Sequence, residues 1–126
     1  MNEKFPNKAT FEICGYRQDS ALLILLRPFR YVSSAGTITV PVDFVTDGAS
    51  VPRIFWNILS PYGSYFPAAL IHDFLYSKAS DSYGFTRLQC DQIFKAAMYD
   101  IGIGWLKRET IYRAVSAAGW LSYKKK

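Results

Sequence analysis

The chain holds a single histidine, His72, and only two cysteines, Cys14 and Cys90, among 126 residues. One histidine excludes every mechanism that needs two: zinc centres of the His-Glu-x-x-His type, phosphohydrolases with a His-then-His-Asp metal site, and two-His nucleases. Two distant cysteines are too few for a disulfide scaffold or a four-ligand zinc site, so free thiols in a reducing compartment are expected. No apolar run approaches the roughly 18 residues of a membrane-crossing helix. The longest, Ala21-Leu-Leu-Ile-Leu-Leu26, is strand-sized. Internal repeats and low-complexity segments are lacking too. The first residues show no apolar stretch of the secretory type, which predicts synthesis in a cytoplasm without a signal peptide.

Acidic residues are the minority, 10 Asp+Glu against 15 Lys+Arg, for a net charge of +5. Lys107, Arg108, Arg113 and Lys124, Lys125 and Lys126 put six of the fifteen basic residues in the last twenty positions. An anionic partner such as a lipid headgroup would be drawn there; a solubilising tail is the plainer reading. The basic residues of the last segment are scattered round its helix, and no aromatic and basic interleaving of a nucleic-acid fold is visible, so nucleic acid is not an expected partner. Hydrophobic residues make up 50% of the chain and aromatics 17%, enough for one core, and one domain is the expectation at this size.

The pattern along the chain predicts an α+β fold: antiparallel strands in residues 1–45, an aromatic and glycine-containing loop over 46–66, and a helical part over 67–126. Thr10 to Arg17, Ala21 to Val32 and Thr37 to Val40 read as two or three strands, separated by Gln18-Asp19-Ser20 and Ser33-Ser34-Ala35-Gly36. Pro67 suits the first turn of a helix running to about Ala79. Thr86 can cap a second from Arg87 to about Ile101, and a third runs from Trp105 to about Trp120 with Ile111, Tyr112, Val115 and Ala118 on one face. The short Ser80–Gly84 segment predicts that the first two helices form an antiparallel pair.

On the first helix His72 and Tyr76 share a face with Ala69, Leu75 and Ala79, so His72 points into packing. On the second, Asp91 shares its face with Leu88, Phe94 and Met98. A carboxylate on an apolar face costs several kcal/mol unless compensated, and the only histidine, on the neighbouring helix, is its natural partner. A carboxylate that accepts the proton of one imidazole nitrogen leaves the other able to take a proton from water. An inward His–Asp–Tyr network is equally compatible with a purely structural role. Asp73 projects about 100° round the helix from His72, toward a flank open to a loop. The Thr46-Asp47-Gly48 segment adds a second carboxylate and a glycine whose backbone can approach a ligand. Two carboxylates with backbone carbonyls suit a hard cation such as calcium rather than zinc.

The stretch Thr46 to Met98 resembles secreted calcium-dependent phospholipases that cleave the sn-2 ester, notably the small bacterial and fungal ones. The matching elements are Thr46-Asp47, Pro52, Tyr62-Gly63-Ser64-Tyr65, His72-Asp73-Phe74-Leu75-Tyr76 and Arg87-Leu88-Gln89-Cys90-Asp91-Gln92-Ile93-Phe94, in the family's order and spacing. The resemblance implies that His72 is the general base on water, Asp91 its orienting partner and Tyr76 a support for Asp91. It also implies calcium held by Asp73, Asp47 and the Gly48 carbonyl. Two departures stand out: Ala69 occupies the position, three before the histidine, where that family anchors a disulfide, and the β-rich first 45 residues have no counterpart in the small bacterial enzymes.

A second resemblance covers nearly the whole chain. Thr46-Asp47-Gly48-Ala49-Ser50-Val51-Pro52-Arg53 with Trp56, then His72-Asp73-Phe74-Leu75-Tyr76 and the Arg87 to Met98 segment, are similar to a family of tailed-phage and prophage proteins. It implies a phage origin, synthesis in the bacterial host cytoplasm and incorporation into the virion as one fate. Two functions follow as expectations. The first is a phospholipase-like esterase, with Phe55, Trp56 and Tyr62 as either an interfacial rim or core filling, and a phospholipid membrane surface as partner. The second is a non-catalytic particle- or tail-associated protein, bound to phage structural proteins or a host protein, on the same scaffold.

Overall fold

A computed structural model describes residues 3–17, 20–46, 66–119 and 123. Five strands come first: β1 Phe11–Arg17, β2 Ser20–Leu25, β3 Phe29–Ser33, β4 Gly36–Val40 and β5 Val45–Thr46. Helices α1 Phe66–Tyr76, α2 Arg87–Ile101 and α3 Trp105–Ala118 follow, with a 3-10 helix, Lys78–Tyr83, between α1 and α2. The fold is α+β. Strands β1, β2 and β5 form one antiparallel sheet in that order, and β3 and β4 a separate hairpin.

The expected strand Ala21 to Val32 is thus two strands in two different sheets. Pro28, just before β3, has no N–H to give to a ladder and breaks the pairing there. The Leu26 N–H instead bonds the Thr10 carbonyl and the Asp43 N–H the Leu25 carbonyl, which ties the chain at the point where it changes sheet.

α1 ends at Tyr76, three residues short of Ala79. Ser77 turns to extended backbone, and its hydroxyl takes the Phe74 carbonyl while the Ser80 hydroxyl takes those of Leu75 and Ser77. Two serines thereby satisfy the carbonyls that a continuing helix would have used. Ala79 consequently lies exposed in the 3-10 helix and does not join the His72 face. Leu88 also departs from expectation, at 59% exposure. It stands roughly 150° round α2 from the centre of the buried arc Cys90–Ile93–Phe94–Ala97–Met98.

Thr86 caps α2 as expected. Its hydroxyl accepts from the Gln89 N–H, and the Gln89 side chain accepts from the Thr86 N–H, a reciprocal capping box. One buried cluster joins the β3–β4 hairpin to the helices. Phe5 stacks on Phe29 and Tyr31, while Ile38 and Val40 meet the α1 and α2 residues Ile71, Phe74, Phe94 and Met98 in the same core. The Tyr31 hydroxyl reaches across to donate to Asp100 at the end of α2, 2.7 Å. Cys14 and Cys90 are both free thiols, the first exposed and the second buried.

Candidate active site

Antiparallel packing of α1 on α2 brings together the three residues that the sequence nominates. His72 Nε2 lies 2.8 Å from Asp91 Oδ1, and the Tyr76 hydroxyl donates to the same oxygen over 2.5 Å. Because a carboxylate only accepts, Nε2 carries the ring proton and Nδ1 is the basic nitrogen. Nδ1 has no hydrogen-bond partner among the described residues. The imidazole is held between two rings, Tyr76 at 4.0 Å and Phe94 at 4.7 Å between centroids. His72 is 2% exposed and Asp91 1%.

Burial alone would raise the Asp91 carboxyl, but hydrogen bonds from His72, Tyr76 and Ser116 outweigh it and hold the group below the usual carboxylate range. Burial, and then the bond to Asp91, push the Tyr76 phenol above its ordinary value. At neutral pH the arrangement is therefore a charged acceptor with hydrogen-bond donors gathered round it, which is how a buried carboxylate becomes tolerable.

The third helix completes the site, and this the sequence reading missed. Ser116 contributes to the lowered Asp91 carboxyl, and Gly119, at the end of α3, lies so close to Tyr76 that a Cβ there would collide with the phenol. Gly119 has ordinary helical backbone angles, so its small size is what the position uses. Tyr123 sets its ring edge-on to Tyr76, centroids 5.2 Å apart, and donates from its hydroxyl to the Phe85 carbonyl. A glycine within an otherwise helical stretch is the one signal that could have pointed to this contact.

Asp73 is 5% exposed, next in the chain to His72. Its Oδ2 is shielded and takes no hydrogen bond from the described residues, while the residue keeps interactions of its own. Asp47 and Gly48, the other two expected calcium ligands, lie outside the described residues, as do Pro52, Phe55, Trp56 and Tyr62. Among the described residues no group of three His, Cys, Asp or Glu side chains is placed to hold a metal. Asp73 supplies a hard oxygen of the type calcium takes, and the described part of the site offers one such ligand.

What the arrangement can do chemically is take a proton at Nδ1 and hold the resulting imidazolium against a carboxylate. No helix among the described residues is long and apolar enough to cross a membrane. No curated protein and no solved structure matches the chain. A family described as "Protein of unknown function (DUF1353)" matches residues 23–115, from β2 through most of α3, with His72, Asp73, Tyr76 and Asp91 all inside the match. With so much more than half of its length matched, the chain belongs to the DUF1353 family.

Proposed function

We propose that the protein is a phage-encoded, phospholipase-like ester hydrolase in which His72 activates water under the control of Asp91 and Tyr76. The observation that carries the reading is the convergence of His72 Nε2 and the Tyr76 hydroxyl on one buried oxygen, Asp91 Oδ1. With Nε2 committed to Asp91, Nδ1 accepts a proton from water as the water oxygen attacks the ester carbonyl. The imidazolium so formed is stabilised by Asp91 and gives its proton to the departing alkoxide. Tyr76 keeps its own proton through the cycle, since its phenol titrates far above neutrality, and serves to position Asp91. Asp73, with Asp47 and the Gly48 carbonyl, would hold calcium, which when bound polarises the ester carbonyl. A phospholipid surface is the partner that fits this chemistry together with the +5 net charge.

The test is hydrolysis of anionic and zwitterionic phospholipid vesicles, with calcium and with chelator, by wild type and by His72→Ala. General-base catalysis is worth on the order of 10²–10⁴ in rate, and the variant should lose at least that while keeping its circular dichroism spectrum. An equally active variant, or a wild type inert towards all esters offered, would overturn the proposal.

The near-complete burial of His72 and Asp91 favours a second reading, a stabilising network in a non-catalytic phage component that binds phage structural proteins or a host protein. It expects an inert wild type, a large loss of stability in His72→Ala and copurification of the protein with virions or a host partner.

A further inference from the structure

Strand β1 forms one edge of its sheet, and among the described residues it pairs with β2 alone. Glu12, Ile13, Tyr16 and Arg17 are all exposed along it, Ile13 58% and Tyr16 72%. Between Phe11 and Arg17 there is neither proline nor lysine, the residues that usually guard such an edge.

The register with β2 sorts the side chains. Antiparallel partners share a face, so Phe11, Ile13 and Tyr16, opposite Leu25, Leu23 and Ala21, lie on one face. Glu12, Gly15 and Arg17, opposite Ile24, Leu22 and Ser20, lie on the other. The register shift between Ile13 and Gly15 creates this sorting, because in an unbroken strand Ile13 and Tyr16 would point to opposite faces.

We propose that β1 is a self-association edge, pairing antiparallel with β1 of a second copy about a two-fold axis between Cys14 and Gly15. In that register Ile13 stands opposite Tyr16 of the second copy on one face and Glu12 opposite Arg17 on the other, each pair occurring twice by symmetry. The apolar pairs cover the exposed side chains, and the charge pairs select this register, since a slipped alignment breaks both sets at once. The family match begins at residue 23, after β1. A pairing of six residues a side is smaller than the roughly 1,200 Å² of a stable complex, which makes the dimer weak and concentration-dependent.

Sedimentation velocity of the full chain up to millimolar concentration tests this. Wild type should move from monomer towards dimer as concentration rises. Glu12→Arg and Arg17→Glu should each hold it monomeric, and Glu12→Arg with Arg17→Glu together should restore association. Both positions are exposed, so the variants keep the fold, which circular dichroism checks. In a Cys14→Ser background, Ile13→Cys chains mixed with Tyr16→Cys chains should cross-link under mild oxidation, and neither alone should. A wild type monomeric throughout, single reversals that associate as well as wild type, or a mixture that fails to cross-link overturns the proposal. In the first of these cases the edge is left for a strand from another protein.

Discussion

Two donors on one carboxylate oxygen make Asp91 the residue whose charge matters most to the site. Its folded carboxyl titrates below the unfolded value of about 3.9. Its stabilising effect is therefore fully present above that pH and is lost as pH falls through the folded value. Denaturant titrations from neutral pH down to strong acid should show wild type more stable than Asp91→Asn at pH 7 by about 1.5–3 kcal/mol, the worth of hydrogen bonds to a charged group. The gap should close only below about pH 4. A gap that persists unchanged into strong acid would mean that the charge of Asp91 contributes nothing to it. At Gly119 the expected cost is steric: Gly119→Ala drives a methyl group into the Tyr76 phenol and should lose about 1–3 kcal/mol. Adding Tyr76→Phe removes the nearest atom, so the double variant should lose less than the two single changes together. Strict additivity would show that residue 119 acts through something else.

The elements differ in how far the sequence discloses them. α2 was legible at both ends because its signals are local: Thr86 and Gln89 close a capping box, and Gly102 takes the left-handed backbone that ends the helix. Thr86→Ala should cost about 1 kcal/mol in a urea melt, and an unchanged midpoint would mean that packing, not the cap, fixes where α2 starts. The end of α1 was misread because apolar periodicity continues to Ala79, whereas two serine hydroxyls stop the helix at Tyr76. Strand pairing differs for the opposite reason, since apolar and aromatic residues continue from Ala21 to Val32 through both sheets and only Arg27 and Pro28 mark the break. The His72–Asp91 pair was visible because helical period places each on an inward face. Ser116 and Gly119 were not, because a contact from a third helix depends on its crossing position, which no periodicity records.

At the scale of the molecule, the β3–β4 hairpin, α1, α2 and α3 all contribute to one buried cluster, and the Tyr31–Asp100 bond fastens hairpin to helix. No part of that core can open without exposing the rest, so unfolding should be a single transition. Far-ultraviolet and near-ultraviolet circular dichroism melts should coincide, and a near-ultraviolet change preceding the loss of helix would reveal two units. The three helices also set a limit on how short a working chain can be. Similarity to the family stops at residue 115, one position before Ser116, which helps to keep the Asp91 carboxyl low, and four before the glycine against which Tyr76 lies. A fragment cut at that boundary would keep His72, Tyr76 and Asp91 and lose the wall behind them. The unit that inheritance makes recognisable is smaller than the unit that has to fold before the His72–Asp91 pair is enclosed.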